Sequence, residues 1–307
     1  SSRALILDIN GHIVSQKNFE FKQYFPDDGW VEHDPIEILN TTKDAIHFVI
    51  KETNISPKDL NIAGITNQRE TVVAWNKKTG KPVYNAIVWQ DRRTENFCEK
   101  LRQKNLTKLI QSKTGLIIDP YFSATKIKWI IENTEEAKNA LNKNNLLVGT
   151  IDSWLIWNFT KGECHYTDVT NASRTMLYNI NEDCWDDELL NIFNINKNIL
   201  PDVKNCVDDF GAIDSSFFGE KILIGGVAGD QQAATIGQAC FKEGMVKSTY
   251  GTGCFLLMNT GNNFIESQSK LLSTTAYNIF DKKDFALEGS IFNAGTVVQW
   301  MRDEMNF

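Results

Sequence analysis

The spacing of apolar positions changes several times along this chain. Residues 4–8 form a short apolar run, Asn10-Gly11 is a strong two-residue hairpin signal, and residues 13–21 supply a returning strand. The pattern therefore opens on a strand hairpin. Pro35 then begins a stretch in which Ile36, Leu39, Ile46, Val49 and Ile50 share one helical face, with Lys43 and Asp44 outside it. Residues 60–66, 72–75 and 83–88 read as strands, with a turn at 77–80, and helices are expected at 92–102, 124–132 and 151–159. A hairpin followed by strands alternating with helices predicts an α/β sheet of mixed direction.

The second half restarts the pattern. Residues 222–227 predict a strand, and 233–239 a helix after Ala228-Gly-Asp-Gln-Gln232. Residues 245–250 and 254–259 flank Gly251-Thr252-Gly253 as a strand–turn–strand unit. Further strands are expected at 272–280 and 285–290 around a turn at 281–284, and a last helix at 294–305. A boundary near Phe241 divides the chain into 1–241 and 242–307. The likeness of the two openings is architectural and is not a sequence repeat.

Composition narrows the class. The 307 residues carry a net charge of −7, which disfavours a nucleic-acid binder, since phosphate contacts need clustered Lys and Arg. No apolar run reaches the roughly 18 residues of a membrane helix, and no secretory signal opens the chain. The six cysteines include no C-x-x-C pair, so free thiols in a cytoplasmic protein are expected. Seven Arg stand against 25 Lys. A chain that uses Lys for plain positive charge reserves Arg for planar, forked contacts, which singles out Arg69 and the Arg92-Arg93 pair.

Four short motifs carry candidate chemistry. Gly229-Asp230-Gln231-Gln232 lies between a strand and a helix, where an Asp can take a proton from a hydroxyl that an amide orients. The plainer alternative is a helix cap. Tyr250-Gly-Thr-Gly-Cys254 is a turn whose glycines let backbone amides approach phosphate, or an ordinary hairpin turn. Gly289, Gly295 and the helix after Ala294 make a glycine-led helix start, a possible phosphate contact. Asn67-Gln-Arg-Glu70 ends a strand with four hydrogen-bonding side chains, able to clasp vicinal hydroxyls or to form a surface turn. No P-loop and no G-x-G-x-x-G occurs.

Longer stretches join these motifs. Ile65-Thr-Asn-Gln-Arg-Glu-Thr71, Tyr84-Asn-Ala-Ile-Val-Trp-Gln-Asp-Arg-Arg-Thr94, Gly115-Leu-Ile-Ile-Asp-Pro-Tyr-Phe-Ser123, Thr170-Asn-Ala-Ser-Arg-Thr-Met176, Ala228-Gly-Asp-Gln-Gln-Ala-Ala234 and Gln299-Trp-Met-Arg-Asp-Glu304 run in order along nearly the whole chain. They resemble the FGGY carbohydrate kinases, and within them the members that act on glycerol. The resemblance implies an α/β, ribonuclease-H-like (actin-like) fold with a cleft between two domains. It implies ATP- and Mg²⁺-dependent phosphorylation of glycerol at a terminal carbon. Carried over by position, Arg69, Glu70, Tyr121, Asp230 and Gln231 would bind the hydroxyls, and Trp89 and Phe255 would wall the carbon skeleton. Asp230 would be the general base. Thr252, Gly295 and Gln299 would touch the nucleotide, and Arg3 matches the Arg after the family's first phosphate loop. Homo-oligomers are possible.

Departures from the family pattern shape the expectation. Of the family's opening Asp-Gln-Gly-Thr-Thr-Ser-Ser-Arg, only Ser1-Ser2-Arg3 is present. The stretch 242–307 matches only the opening of the family's second domain. The chain is thus expected to be a fragment, one nearly complete domain and the start of another, that binds glycerol weakly and transfers no phosphate alone. The Gly-Gly-x-Arg loop that binds fructose 1,6-bisphosphate in some relatives has no Arg at Ser215-Ser-Phe-Phe-Gly-Glu220, and no His lies between Val203 and Ile224. Control at that loop is therefore not expected. Two other readings stay open: a kinase of another polyol or sugar, and an inactive chain that only binds ligand.

Overall fold

The structure is a computed structural model that describes residues 1–251, 253–280 and 282–307. Ser2–Leu7 and Ile13–Phe19 form the expected antiparallel hairpin, closed by Asp8 N–H donating to His12 O. The hairpin packs on the helix Pro35–Thr53. Asp34 caps that helix by accepting from Ile36 N–H at 2.8 Å, and Asn54 ends it in the left-handed region.

Val72–Asn76 lies between Ala86–Ile87 and Leu146–Thr150 in a six-stranded antiparallel sheet. Its side chains divide by parity: Val72 and Ala74 join one hydrophobic cluster, Val73 and Trp75 another. Both faces of the strand are covered, which explains an apolar run without alternation.

The pattern reading is corrected in places. The strand read at 60–66 is Ala63–Asn67, because Leu60 N–H closes a short 3-10 turn onto Pro57 O. The strand read at 83–88 shrinks to Ala86–Ile87, since Tyr84 and Asn85 turn their polar ends onto Glu32. Helices Thr107–Thr114 and Glu135–Asn142 and strand Leu146–Thr150 are additional. Each of the two helices buries only two residues, too sparse a stripe to register as a period.

A parallel pair places the site. Ala63–Asn67 runs beside Ile222–Gly229, with Gly229 opposite Asn67. The two strands thus deliver Arg69-Glu70 and Asp230-Gln231 side by side, at the carboxyl ends where α/β sheets bind ligands. The helix expected from 233 begins at Asp230 and runs to Gly237. Its N-cap is Gly229 and no side chain caps it, so the capping alternative for Asp230 does not hold.

Val246–Tyr250, Cys254–Gly261, Leu272–Ile279 and Lys282–Ile291 make a four-stranded antiparallel sheet. Ile279 pairs with Lys282, so the turn is tighter than 281–284, and Asp281 lies outside the described residues. Leu257, Leu272, Ala276 and Phe285 from this sheet pack into the cluster that holds Val72 and Ile87. Gly115 lets the sheet approach: at φ +73° it accepts from Ser273 N–H, and any side chain there would strike the Ser273 backbone. The last helix, Gly295–Asp303, buries no residue and is shorter than the 294–305 read from the pattern.

Candidate active site

Arg69 lies at the centre of the site, beyond the end of Ala63–Asn67, with 1% of its side chain exposed. It is followed by Glu70 at φ +61°, a left-handed conformation that costs a non-glycine residue energy and often marks a functional turn. The surface-turn reading of this motif fails, because Arg69, Glu70 and Thr71 are all buried.

Gly229 is required by Arg69. A Cβ at residue 229 would lie 2.6 Å from Arg69 Cγ and 2.7 Å from Cδ, so the arginine stem occupies the space a side chain would need. The guanidinium then makes four hydrogen bonds to three residues. Nη1 donates to Glu288 Oε2 at 2.7 Å and to Gln232 Oε1 at 3.1 Å. Nη2 donates to Glu288 Oε1 at 3.1 Å and to the Tyr121 hydroxyl at 3.3 Å. Nε has no hydrogen-bond acceptor, although Asp230 Oδ1 is 3.4 Å away and Glu70 Oε1 3.8 Å.

A second arginine completes the group. Arg174, fully buried, donates from Nε to Glu70 Oε1 at 2.6 Å and from Nη2 to Glu288 Oε1 at 2.8 Å. Two cations thus alternate with two buried carboxylates. Burial raises Glu70, outweighing the pull of Arg69 and Arg174. Burial would also raise Glu288, but Arg174 and Arg69 hold it down at about 2. Burial works against the charge of Arg69, which Glu288 and Glu70 more than restore.

Asp230 is the exposed member, with 45% of its side chain open. Its Oδ2 accepts from Gln231 Nε2 at 2.9 Å. Gln231 Oε1 in turn accepts from Lys247 Nζ at 2.5 Å, which fixes the amide orientation. Burial, with repulsion from Arg69, lowers the Lys247 ammonium to about 8.

The apolar side is aromatic. Trp89 lies 5.8 Å from Tyr121 and 6.0 Å from Phe255, ring centre to ring centre, and Phe292 stands 5.8 Å from Trp89 and 4.9 Å from Tyr121. Tyr121 is fixed from behind by Lys126, a buried cation that donates to the carbonyls of Pro120 at 3.1 Å and Tyr121 at 2.5 Å. A cavity of about 630 Å³ opens on this aromatic side, lined by Tyr121, Phe255, Glu288 and Phe292 and running on past Ile117, Lys270 and Leu271, while Arg69 and Asp230 do not line it.

Of the expected site residues, Arg69, Glu70, Trp89, Tyr121, Asp230, Gln231 and Phe255 come together. Of the expected nucleotide contacts, Gly295 and Gln299 share the last helix, apart from Arg3 on the first hairpin. Gly295 N–H donates to Gly251 O at 2.9 Å, joining the last helix to the hairpin turn, and Gln299 is exposed on that helix. Thr252 lies outside the described residues. Arg3 is exposed, and its Nε donates to Asn18 Oδ1 at 2.6 Å, away from the Arg69 group. Glu288, Phe292 and Lys247 were not anticipated. Strand parity carried a signal for Glu288: in Lys282–Ile291 it shares the inward face with Asp284 and Ala286, and a buried carboxylate demands a buried partner.

The family of carbohydrate kinases known as FGGY matches residues 1–237 through its N-terminal domain. The chain belongs to the FGGY family of carbohydrate kinases. Among FGGY relatives, it is 56% identical over 303 residues to a glycerol kinase of Rhizobium meliloti and 55% identical over 305 residues to one of Thermoanaerobacter. These alignments cover 99% of this chain and 61% of either relative, so the chain spans about three fifths of their length. The crystal structure of Plasmodium falciparum glycerol kinase with ADP superposes with a TM-score of 0.92 at 43% identity, covering 99% of this chain and 62% of that one. A xylulose kinase from Lactobacillus acidophilus, 22% identical with a TM-score of 0.82, shares the fold. The FGGY fold is the expected α/β, ribonuclease-H-like (actin-like) one.

Proposed function

We propose that this chain forms the polyol-binding part of an ATP-dependent glycerol kinase. The observation that carries the reading is Arg69 Nε, a buried donor without an acceptor, flanked by the carboxylates of Asp230 and Glu70. A hydroxyl entering there accepts from Nε and donates to a carboxylate, filling the hydrogen-bonding needs of all three groups. Trp89, Phe255, Tyr121 and Phe292 supply the apolar contact a three-carbon skeleton needs. Identities above 50% to glycerol kinases favour glycerol over a sugar.

In this reading Asp230 is the general base. Its Oδ1 faces the Arg69 Nε position and its Oδ2 is held by Gln231, so the carboxylate keeps one oxygen for the reacting hydroxyl. The hydroxyl oxygen attacks the γ-phosphorus of ATP while Asp230 takes its proton, and ADP departs. Arg69 and Glu70 hold the neighbouring hydroxyl, so that the terminal one is placed for in-line attack. Thr252, Gly295 and Gln299 are assigned to the nucleotide side, with Arg3 at the position that follows the family's first phosphate loop. Among the described residues, no group of three or more His, Cys, Asp and Glu side chains is set to hold a metal ion; Mg²⁺ would enter with ATP, held by the nucleotide's phosphates and at most one or two carboxylates.

We divide the chain at Phe241 and place it in the cytoplasm, where its six free cysteines would stay reduced. Among the described residues no helix is long and apolar enough to cross a membrane. The test is Asp230→Asn in the full-length protein, assayed on glycerol, a tetritol and a ketopentose. The expected outcome is preferential use of glycerol by the wild type, and a kcat lower by roughly 10²–10⁴-fold in the variant, with glycerol still bound in calorimetry. Turnover that survives the substitution removes Asp230 from the role of base.

A further inference from the structure

The guanidinium of arginine carries five N–H donors. In Arg69 the four terminal ones are all consumed inside the protein. Nη1 serves Glu288 and Gln232, and Nη2 serves Glu288 and Tyr121. Only Nε–H is left, buried and without an acceptor. One carboxylate accounts for half of this arrangement, because both of its oxygens take Arg69 in a two-pronged contact at 2.7 and 3.1 Å.

We infer that Glu288 is a positioning residue for substrate binding: it anchors both terminal nitrogens of Arg69, so that Nε–H alone is turned toward the polyol. Glu288 is itself fixed. Its Oε1 also accepts from Arg174 Nη2 at 2.8 Å and from the Ser290 hydroxyl at 2.9 Å, and its side chain has no exposed surface. A carboxylate with this many donors has no freedom to follow Arg69, so the guanidinium must follow the carboxylate.

Three further points separate this role from general stability. Glu288 arrives from Lys282–Ile291, 219 residues after Arg69, so the later four-stranded sheet sets the geometry of a donor borne by the earlier strand. Arg69 also lies near Asp230, and an arginine unclaimed by Glu288 would be drawn into a direct pair with that carboxylate, closing the gap a hydroxyl needs. Finally, Glu288 and Glu70 balance Arg69 and Arg174, which leaves the charge of Asp230 free for the reacting hydroxyl.

This inference rests on the glycerol reading, and the experiment separates the two. Wild type, Glu288→Gln, Glu288→Asp, Arg69→Gln and the Arg69→Gln/Glu288→Gln double variant are purified as full-length proteins. KM for glycerol, KM for ATP and kcat are measured for each. Glu288→Gln keeps the shape and removes the charge. Its KM for glycerol is expected to rise tenfold or more while its KM for ATP stays within twofold, and Glu288→Asp should recover part of the loss. The double variant should be no worse on glycerol than Arg69→Gln alone, because Glu288 acts through Arg69. An active wild type whose folded Glu288→Gln form keeps its KM for glycerol overturns the inference and leaves the substrate reading standing. So does an equal rise in both KM values. Should Glu288→Gln fail to fold, the charge-balanced double variant decides: a further loss beyond Arg69→Gln overturns the inference, and equality supports it. A wild type inactive on glycerol overturns the substrate reading and this inference together.

Discussion

Two groups of buried polar side chains lie under the ends of the parallel strands, and they are built differently. One is the Arg69–Glu70–Arg174–Glu288 group. The other joins Asp152, Asp168, Asn67, Asn171 and Thr170, all buried. In this second group, Asp168 accepts from the N–H groups of Thr170 and Asn171 and from Asn171 Nδ2. Asn67 and Asn171 exchange amide hydrogen bonds, both at 3.0 Å. Thr170 Oγ1 accepts from Gly229 N–H at 2.9 Å. None of its side-chain polar atoms is without a partner, whereas the arginine group leaves Arg69 Nε and Arg174 Nη1 unpaired. A saturated network holds the backbone at Asn67 and Gly229. The unsaturated one above it keeps a donor in reserve, and reserve is what a ligand reads.

The comparison breaks most visibly if a charge is removed from the arginine group. Arg174→Met leaves Glu70 and Glu288 with one cation between them in a dry setting. We expect a loss of about 3–5 kcal/mol in urea unfolding, because a buried carboxylate without its partner keeps the desolvation penalty. A loss below about 1 kcal/mol would mean that water reaches the group, and the contrast with the Asp168 network would disappear.

A smaller effect tests how the strand end shapes the donor. Gly229→Ala forces a methyl against the Arg69 stem at 2.6 Å, so overpacking should cost about 1–3 kcal/mol and raise KM for glycerol. Gly237→Ala is the control at the other end of the same helix. A Cβ there meets nothing within 4 Å, and the change should be neutral or stabilise by up to about 1 kcal/mol. Equal effects at the two glycines would dissociate Gly229 from Arg69.

The same contrast explains what the sequence could and could not disclose. Arginine scarcity pointed to forked contacts, and the side chains of three of the seven arginines are buried in them: Arg69, Arg174 and Arg93, the last gripping Glu32 and Asp91. Arg92 proves to be a surface residue paired with Glu95 and Asp119. The parallel strands and their polar ends were legible because each is a short apolar run closed by hydrogen-bonding residues. Glu288 was not, because its meaning depends on a partner 219 positions away, and period-2 alternation reports a face without naming what it faces. The short helices Thr107–Thr114 and Glu135–Asn142 were missed for the converse reason, since tertiary packing supports them and their own pattern is faint.

The smallest effect is a slope, and it tests the saturated network. Asp152 lies in this group with Asn67 Nδ2 at 3.3 Å and Thr167 Oγ1 at 2.7 Å, and burial raises its carboxyl from 3.8 to about 7. An acid whose folded pKa is raised binds its proton more tightly in the folded state. Its stabilising contribution is therefore complete below about pH 4 and is lost as pH rises through about 7. Asn at position 152 has no proton to lose. Wild type should accordingly lose stability relative to Asp152→Asn between pH 5 and pH 8 in urea titrations. If the two curves stay parallel, Asp152 is ionised in the folded protein throughout that range. The Asp152 carboxyl would then be held as an anion by its donors, like the carboxylates of the group above it.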